Sequence, residues 1–299
     1  MPNVFRLHIR PTGGLANKRL AFEHCLSTGV LGLGWALPGP SDRSITWAAY
    51  VAEAERCYGT GGELSRVKYF HDHVQPDDLI WTRDLGGRYY LARVLDSWRY
   101  DDTQSAWDAD VVNVVSCEIR DIGFVEAVPG KVIACFRPTR AVQQIADETV
   151  RIFSQALWNQ AVGLEHYLVP KRPMDFFALL DDRAIEDIVL IYLQLKGWLI
   201  LPSTRQRDTI AYEAILVHRD SGKRAVVQVK SGDTPLDPHR WSGRDVQVFL
   251  FQAQGRYTTE APAGVECIPR RELQHLVESK LDLFPKAVGV WHRFAVANG

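Results

Sequence analysis

The sequence predicts a mixed α/β (more narrowly α+β) protein of two domains. Three observations carry that expectation. The chain has 299 residues, 46% hydrophobic and 24% charged, which is the length of two domains and the composition of a soluble globular protein. Up to about residue 137, short aromatic or β-branched segments alternate with Gly, Pro and Asp turns, as in a small curved sheet or barrel. Beyond residue 175 the order is helix, three or more strands, helix, which suits a mixed sheet flanked by helices.

Taken in order, "VFRLHIR" alternates as a strand, and "NKRLAFEHCLSTG" starts a short helix that glycines break. "DDLIWTRD", "RYYLARVLDSW", "ADVVNVVSCEI" and "KVIACFR" read as further strands. His71 and His73 of "HDH" would share a strand face, but with no third ligand in sight the stretch reads as loop rather than metal site. Val142, Ile145, Val150, Ile152 and Phe153 follow helical spacing, giving a helical linker over 141–174 between a first domain (1–140) and a second (175–299). Two prolines in "LVPKRPMDFF" put the boundary near residue 170. Asp181 or Asp182 then caps a helix through Leu195, Gly197 stops it, and Glu186 falls in its first turns. "WLILP", "AYEAILVHR", "AVVQVK" and "VQVFLF" are strands, and "RRELQHLVESKL" closes with a helix.

The formal net charge of −1 neither argues for a nucleic-acid partner nor excludes one. The five cysteines are scattered with no C-x-x-C pair, against a disulfide framework or zinc knuckle. The N-terminal stretch lacks a signal-peptide layout and no apolar run is long enough for a bilayer, so a reduced, cytoplasmic protein is expected.

"AVVQVK" sets a puzzle, because Gln228 and Lys230 interrupt a run of valines and point to one face of the strand. A hairpin with its loop in "DSGK" would pair Arg219 with Arg224, Ile215 with Gln228 and Glu213 with Lys230, so Glu213, Gln228 and Lys230 would share a face. A carboxylate, an amide and an ammonium there, with Glu186 from the preceding helix, suit Mg²⁺ acting on a phosphate. Lys230 would stabilise charge developing on the phosphate and orient the attacking water. Read singly, Lys230 is an ordinary strand-end lysine and Gln228 a satisfied core amide.

Glu186, the "YE" of Glu213 and the "QVK" of Gln228 to Lys230, on helix, strand and strand, resemble the PD-(D/E)xK nuclease superfamily, in particular its Mrr-like branch with Gln in place of the usual Glu. The resemblance covers residues 175–299. It implies a restriction-endonuclease-like mixed sheet flanked by helices and Mg²⁺-dependent cleavage of DNA. It makes Glu186 the helix acid, Glu213 the metal-bridging acid, Gln228 the variant third ligand and Lys230 the catalytic lysine. Glu stands where the family usually has Asp, and Asp208 in "RQRDT" is the alternative second acid. Arg205, Arg207, Arg240 and Arg244, with Lys171 and Arg172, read either as solvated surface or as a phosphate track.

In the first half Trp35, Trp47, Trp81, Tyr89, Tyr90 and Trp98 form either an ordinary core or a pocket that stacks a flipped base. "DLIWTRD...GRYYLARV" is similar to the strand-turn-strand of PUA-type folds, including EVE-like readers of modified bases. That similarity implies a small β-barrel-like domain with Trp35 and Trp81 as pocket residues. The two halves together suggest a modification-dependent restriction endonuclease acting on double-stranded DNA, with a homodimer expected for double-strand cutting. The competing readings are a structure-specific repair or junction nuclease, and a non-catalytic nucleic-acid-binding module with a decayed site.

Overall fold

The computed structural model of the protein describes residues 2–11, 17–40, 44–60, 62–138, 140–169, 175–204, 212–232 and 234–297. The chain divides into two compact units, Met1–Val169 and Pro170–Gly299, each with its own mixed sheet.

The first unit runs β1 (Val4–Leu7), α1 (Lys18–Thr28), β2 (Val30–Leu33), α2 (Trp47–Tyr58), α3 (Ser65–His73), β3 (Leu79–Arg83), β4 (Tyr89–Val94), β5 (Arg99–Tyr100), α4 (Gln104–Ala109), β6 (Asn113–Gly123), α5 (Gly130–Cys135), β7 (Val142–Gln144) and α6 (Glu148–Val162). Its curled sheet has the order β2-β6-β4-β3-β1-β7, with β5 also on β6. Among its named strands only β1 and β3 pair in parallel. Asn17 caps α1 by accepting the Leu20 amide, and Gly29, at φ 67°, ends it in the left-handed turn that glycine adopts without strain.

This unit is more helical than its sequence suggests. "KVIACFR" is the helix α5 rather than a strand, because its buried residues Val132 and Phe136 lie four apart and so on one helix face. "HDH" ends α3 instead of lying on a strand or loop; His71 stacks on Trp47 at 3.8 Å and His73 on Tyr69 at 4.1 Å. Residues 141–169 of the stretch expected to be a helical linker are built into the first unit. Val142 lies in β7, paired with β1, and the following helix α6 buries Phe153, Leu157 and Trp158.

The second unit runs α7 (Phe176–Leu179), α8 (Asp182–Leu195), β8 (Trp198–Ile200), β9 (Ala214–His218), β10 (Arg224–Lys230), β11 (Gln247–Gln252), β12 (Val265–Cys267), α9 (Arg270–Ser279) and α10 (Lys286–Ala297). Asp181 caps α8 through the Ala184 amide, and Gly197, at φ 91°, follows its last turn. The sheet order is β12-β11-β10-β9-β8, with β10, β11 and β12 parallel and β8, β9 and β10 antiparallel. The parallel step from β10 to β11 needs the crossover that residues 231–246 supply.

The valine run is explained by β10 being central and covered on both faces. One face packs Val226 with Val248, Leu250, Val265 and Leu236. The other carries Ala225, Val227 and Val229, in register with Phe249 and Phe251 of β11, where Phe177 meets Phe251 at 5.4 Å. Gln228 therefore sits in a buried strand by position, and its amide must find partners there.

Candidate active site on the second sheet

Those partners are specific. Gln228 Nε2 donates to Glu213 Oε1 at 2.8 Å and to the Val229 carbonyl at 3.0 Å. The Glu213 amide donates to the Val227 carbonyl at 2.8 Å, so the residue just before β9 is still tied to β10. Gln228 is 7% exposed, Glu213 is half-buried and Lys230, two residues on, is exposed.

The register differs from the one the sequence suggested. Val217 pairs with Arg224, Ile215 with Val226 and Ala214 with Val227, rather than Ile215 with Gln228, and the paired residues end there, the Glu213 amide reaching the Val227 carbonyl. The reason is the loop. His218 donates its amide to the Lys223 carbonyl and accepts from Gly222, so the four-residue turn is Arg219–Gly222, one position earlier than "DSGK", with Gly222 at φ 68°. The pairing moves by two residues, so the paired residues of β9 keep the faces the sequence suggested. Gln228 and Lys230 share a face of β10, and the Glu213 side chain, just before β9, is in direct contact with Gln228.

Glu186 is placed by α8. Asp182, at the start of that helix, accepts a hydrogen bond from the Ser231 hydroxyl just past Lys230, which pins the N-terminus of α8 to the C-terminal end of β10. Glu186 lies four residues further on, half-buried. The structure thus joins Glu213 to Gln228, sets Lys230 two residues along the same strand and brings the helix that carries Glu186 to the end of that strand.

The end of the neighbouring strand is also built. Gln252 of β11, opposite Lys230 and fully buried, donates to the Gly232 and Thr234 carbonyls and accepts from the Gln254 and Arg256 amides. It locks the segment that follows Lys230. Its signal in the sequence was a polar residue closing an apolar strand, the same signal that marked Gln228.

Among the described residues no three His, Cys, Asp or Glu side chains form a metal-ligand group. The donor chemistry at Glu213 and Gln228 nevertheless fits a hard cation. The amide spends its N–H groups on Glu213 and Val229, which leaves Gln228 Oε1 on β10 and Glu213 Oε2 just before β9 as oxygen donors.

Of the basic residues, Arg205, Arg207, Lys171 and Arg172 lie outside the described residues, as does Asp208. Arg240 and Arg244 are exposed; Arg240 pairs with Asp237 at 3.6 Å and Arg244 lies over the Trp241 ring at 4.5 Å.

The two expected pocket tryptophans have different fates. Trp81 is 0% exposed, and its Nε1 donates to Ser154 Oγ at 3.0 Å, so both its faces and its polar edge are committed to the core of the first unit. It is not a pocket residue. Its alternation in "LIWTR" gave no hint of which face α6 would cover.

Trp35 is only partly buried, with its backbone at φ 64°, a region that a bulky residue enters only when its surroundings hold it there. They do hold it. Asn113 donates to the Gly34 carbonyl and to Tyr50 Oη, Tyr50 donates to the Trp35 carbonyl at 3.1 Å, and Tyr100 and Trp107 bond the Leu37 amide and carbonyl. Nearby, Trp47 lies between His71, stacked at 3.8 Å, and the edge of Trp98 at 4.8 Å.

No protein-family model, curated protein or solved structure matches this chain. Its functional reading rests on its own residues.

Proposed function

We propose that the chain is a metal-dependent DNA endonuclease whose second unit hydrolyses phosphodiester bonds and whose first unit reads a modified base. The observation that carries this reading is the Glu213–Gln228 contact across β9 and β10, with Lys230 on the same face. A core amide needing only satisfaction has many backbone partners to choose from. One bonded to a carboxylate beside a lysine, at the end of a central strand, concentrates oxygen donors and a cation where a phosphate could approach. The element order α8, β8, β9, β10, β11 is the order expected from the PD-(D/E)xK resemblance and supports it further.

In this reading Glu213, Gln228 Oε1 and Glu186 would hold Mg²⁺, which when bound supplies Lewis-acid polarisation of the phosphate and acidifies a water ligand. The chain's own residues do the rest. Glu213 is fixed by the Gln228 amide and so is pre-oriented. Lys230 carries its ammonium to the scissile phosphate, where it offsets the charge developing on the non-bridging oxygens and orients the attacking water. Gln252 and the Asp182–Ser231 contact hold the strand end that presents it.

The modified-base reader rests on Trp35 alone of the two original candidates. Its clamped left-handed backbone is the kind of strain that a rigid binding loop stores. A homodimer in a cytoplasmic setting completes the proposal; among the described residues no helix is long and apolar enough to cross a membrane.

One observation favours a second reading. The Gln228 amide neutralises one Glu213 oxygen by hydrogen bonding, which is also what a binding module with a decayed site would show. A cleavage assay in Mg²⁺ separates the two, using matched duplexes with ordinary, methylated and hydroxymethylated bases and comparing wild type with Lys230→Ala and Trp35→Ala. The nuclease reading expects Lys230-dependent cutting, and the base-reader reading expects Trp35→Ala to erase the preference among duplexes. Binding without cutting by wild type selects the decayed module.

A further inference from the structure

The first unit contains a buried cation that the proposed reader does not use. Arg6, in β1, is 0% exposed. Its Nη1 donates to the Arg140 and Ala141 carbonyls and its Nη2 to Gln143 Oε1 at 2.9 Å, while Nε is buried with no partner among the described residues. Each of these acceptors is neutral, and no carboxylate among the described residues pairs with it.

Its surroundings add positive charge. The Arg6 guanidinium lies 5.8 Å from the centre of the Phe136 ring, and the Arg83 guanidinium 5.2 Å from the same centre. His8 meets Phe136 edge-on at 5.0 Å and bonds its carbonyl through Nε2 at 3.1 Å. Because β1 and β3 are parallel, with Arg6 opposite Trp81, His8 and Arg83 are level at the same end of the sheet. The side-chain charges bearing on His8 are those of Arg6, Arg10 and Arg83, all cationic. Burial first, then Arg6 and Arg10, hold its imidazole down to about 4, so it is neutral at pH 7. Asp147, an acid on the neighbouring α6 cap, is already bonded to Lys131 and to the Val150 amide. Arg83 and Arg140 are exposed, and Arg83 bonds only the Tyr89 hydroxyl among the described residues.

A buried arginine with neutral acceptors, backed by exposed arginines and an aromatic ring, is a costly arrangement for a core. An external anion relieves the cost. We propose that this face of the first unit binds a phosphate group of the nucleic-acid backbone, with Arg83 and Arg140 as the exposed contacts and Arg6 as the fixed charge behind Phe136. The ligand's identity as DNA rests on the nuclease reading; the anion site does not. Such a contact is independent of base sequence. It would fix the position of the duplex on the first unit while base recognition happens elsewhere.

The test is anisotropy of a labelled duplex with the full chain in EDTA, where no metal-dependent cutting occurs, across a salt series. Arg83→Gln and Arg140→Gln are compared with Arg83→Lys, Arg140→Lys and wild type. Each Gln variant is expected to bind about eightfold more weakly at 0.1 M salt and to flatten the salt slope by about 0.9, with the Lys variants near wild type. Unchanged affinity and slope in the double Gln variant, while wild type binds, overturns the proposal and leaves the nuclease reading intact. Inorganic phosphate is titrated in parallel by thermal shift; stabilisation by phosphate, with no duplex binding by wild type, overturns the backbone assignment in favour of a free phosphate ligand. Arg-dependent duplex binding without Mg²⁺-dependent cleavage supports the phosphate contact and refutes the nuclease.

Discussion

Gln228→Glu is the substitution that would turn the site into the commoner acidic pattern, and its cost can be worked from the geometry. The amide now donates to Glu213 Oε1 at 2.8 Å. A carboxylate cannot, so a charge-assisted hydrogen bond of about 1.5–3 kcal/mol is lost. Two negative charges relaxed to 4 Å repel by about 4 kcal/mol at an effective dielectric of 20. Protonation sets a ceiling, since keeping a proton on an ordinary carboxyl at pH 7 also costs about 4 kcal/mol. The variant is therefore expected to be less stable than wild type by about 2–4 kcal/mol at pH 7 to 8 without metal. The new carboxyl has a raised folded pKa, so its penalty is absent at low pH, grows as pH rises above the unfolded value of about 4.3 and levels off once pH passes the folded value; at pH 5 it is about 1 kcal/mol. Mg²⁺ replaces the proton as the bridge and should restore stability to the variant more than to wild type. Denaturant midpoints at pH 5 and 8, in EDTA and in Mg²⁺, measure all of this. A variant within about 0.5 kcal/mol of wild type at pH 8 in EDTA, or indifferent to Mg²⁺, would refute the contact and the metal-binding role together.

Other consequences are equally checkable. Trp81→Ala should destabilise the first unit by about 3–5 kcal/mol, read by thermal unfolding, whereas Trp35→Ala should not approach that figure. His8 titrates at about 4 when folded because burial and the nearby arginines oppose its charge. Since the unfolded imidazole takes up a proton near pH 6.5, stability is complete above that pH and about 3 kcal/mol is lost as pH falls toward 4. His8→Gln should flatten that part of the stability profile. Asp181→Ala removes the cap of α8 and should cost about 1 kcal/mol, measurable by denaturant titration.

The second unit was largely legible because its elements are long and bounded by strong signals. Asp181, Gly197 and the valine run marked a helix and a central strand whose periodicities hardly compete. The hairpin register was missed by two because "RDSG" and "DSGK" both make acceptable turns, and only the position of Gly222 in the folded loop decides between them. The contact between Glu213 and Gln228 forms despite that error, since an even slip leaves side-chain direction within β9 and β10 unchanged. In the first unit α5 was hidden by β-branched and aromatic residues that read as strand, "HDH" at the end of α3 read as loop, and α2 and α4 were given no element, although "AAYVAEAE" of α2 is rich in good helix formers. Trp81 and Trp35 could not be told apart by composition. Burial under α6 and a left-handed backbone are tertiary facts.

The central claim is that the Glu213, Gln228 and Lys230 face hydrolyses DNA. The direct measurement is the single-turnover cleavage rate of a bound duplex in Mg²⁺ for wild type and Lys230→Ala, with duplex affinity recorded in parallel. The account predicts cleavage by wild type and a fall of about a hundredfold or more in the variant at nearly unchanged affinity. Equal rates in the two proteins, or tight binding by wild type with no cleavage, would contradict it.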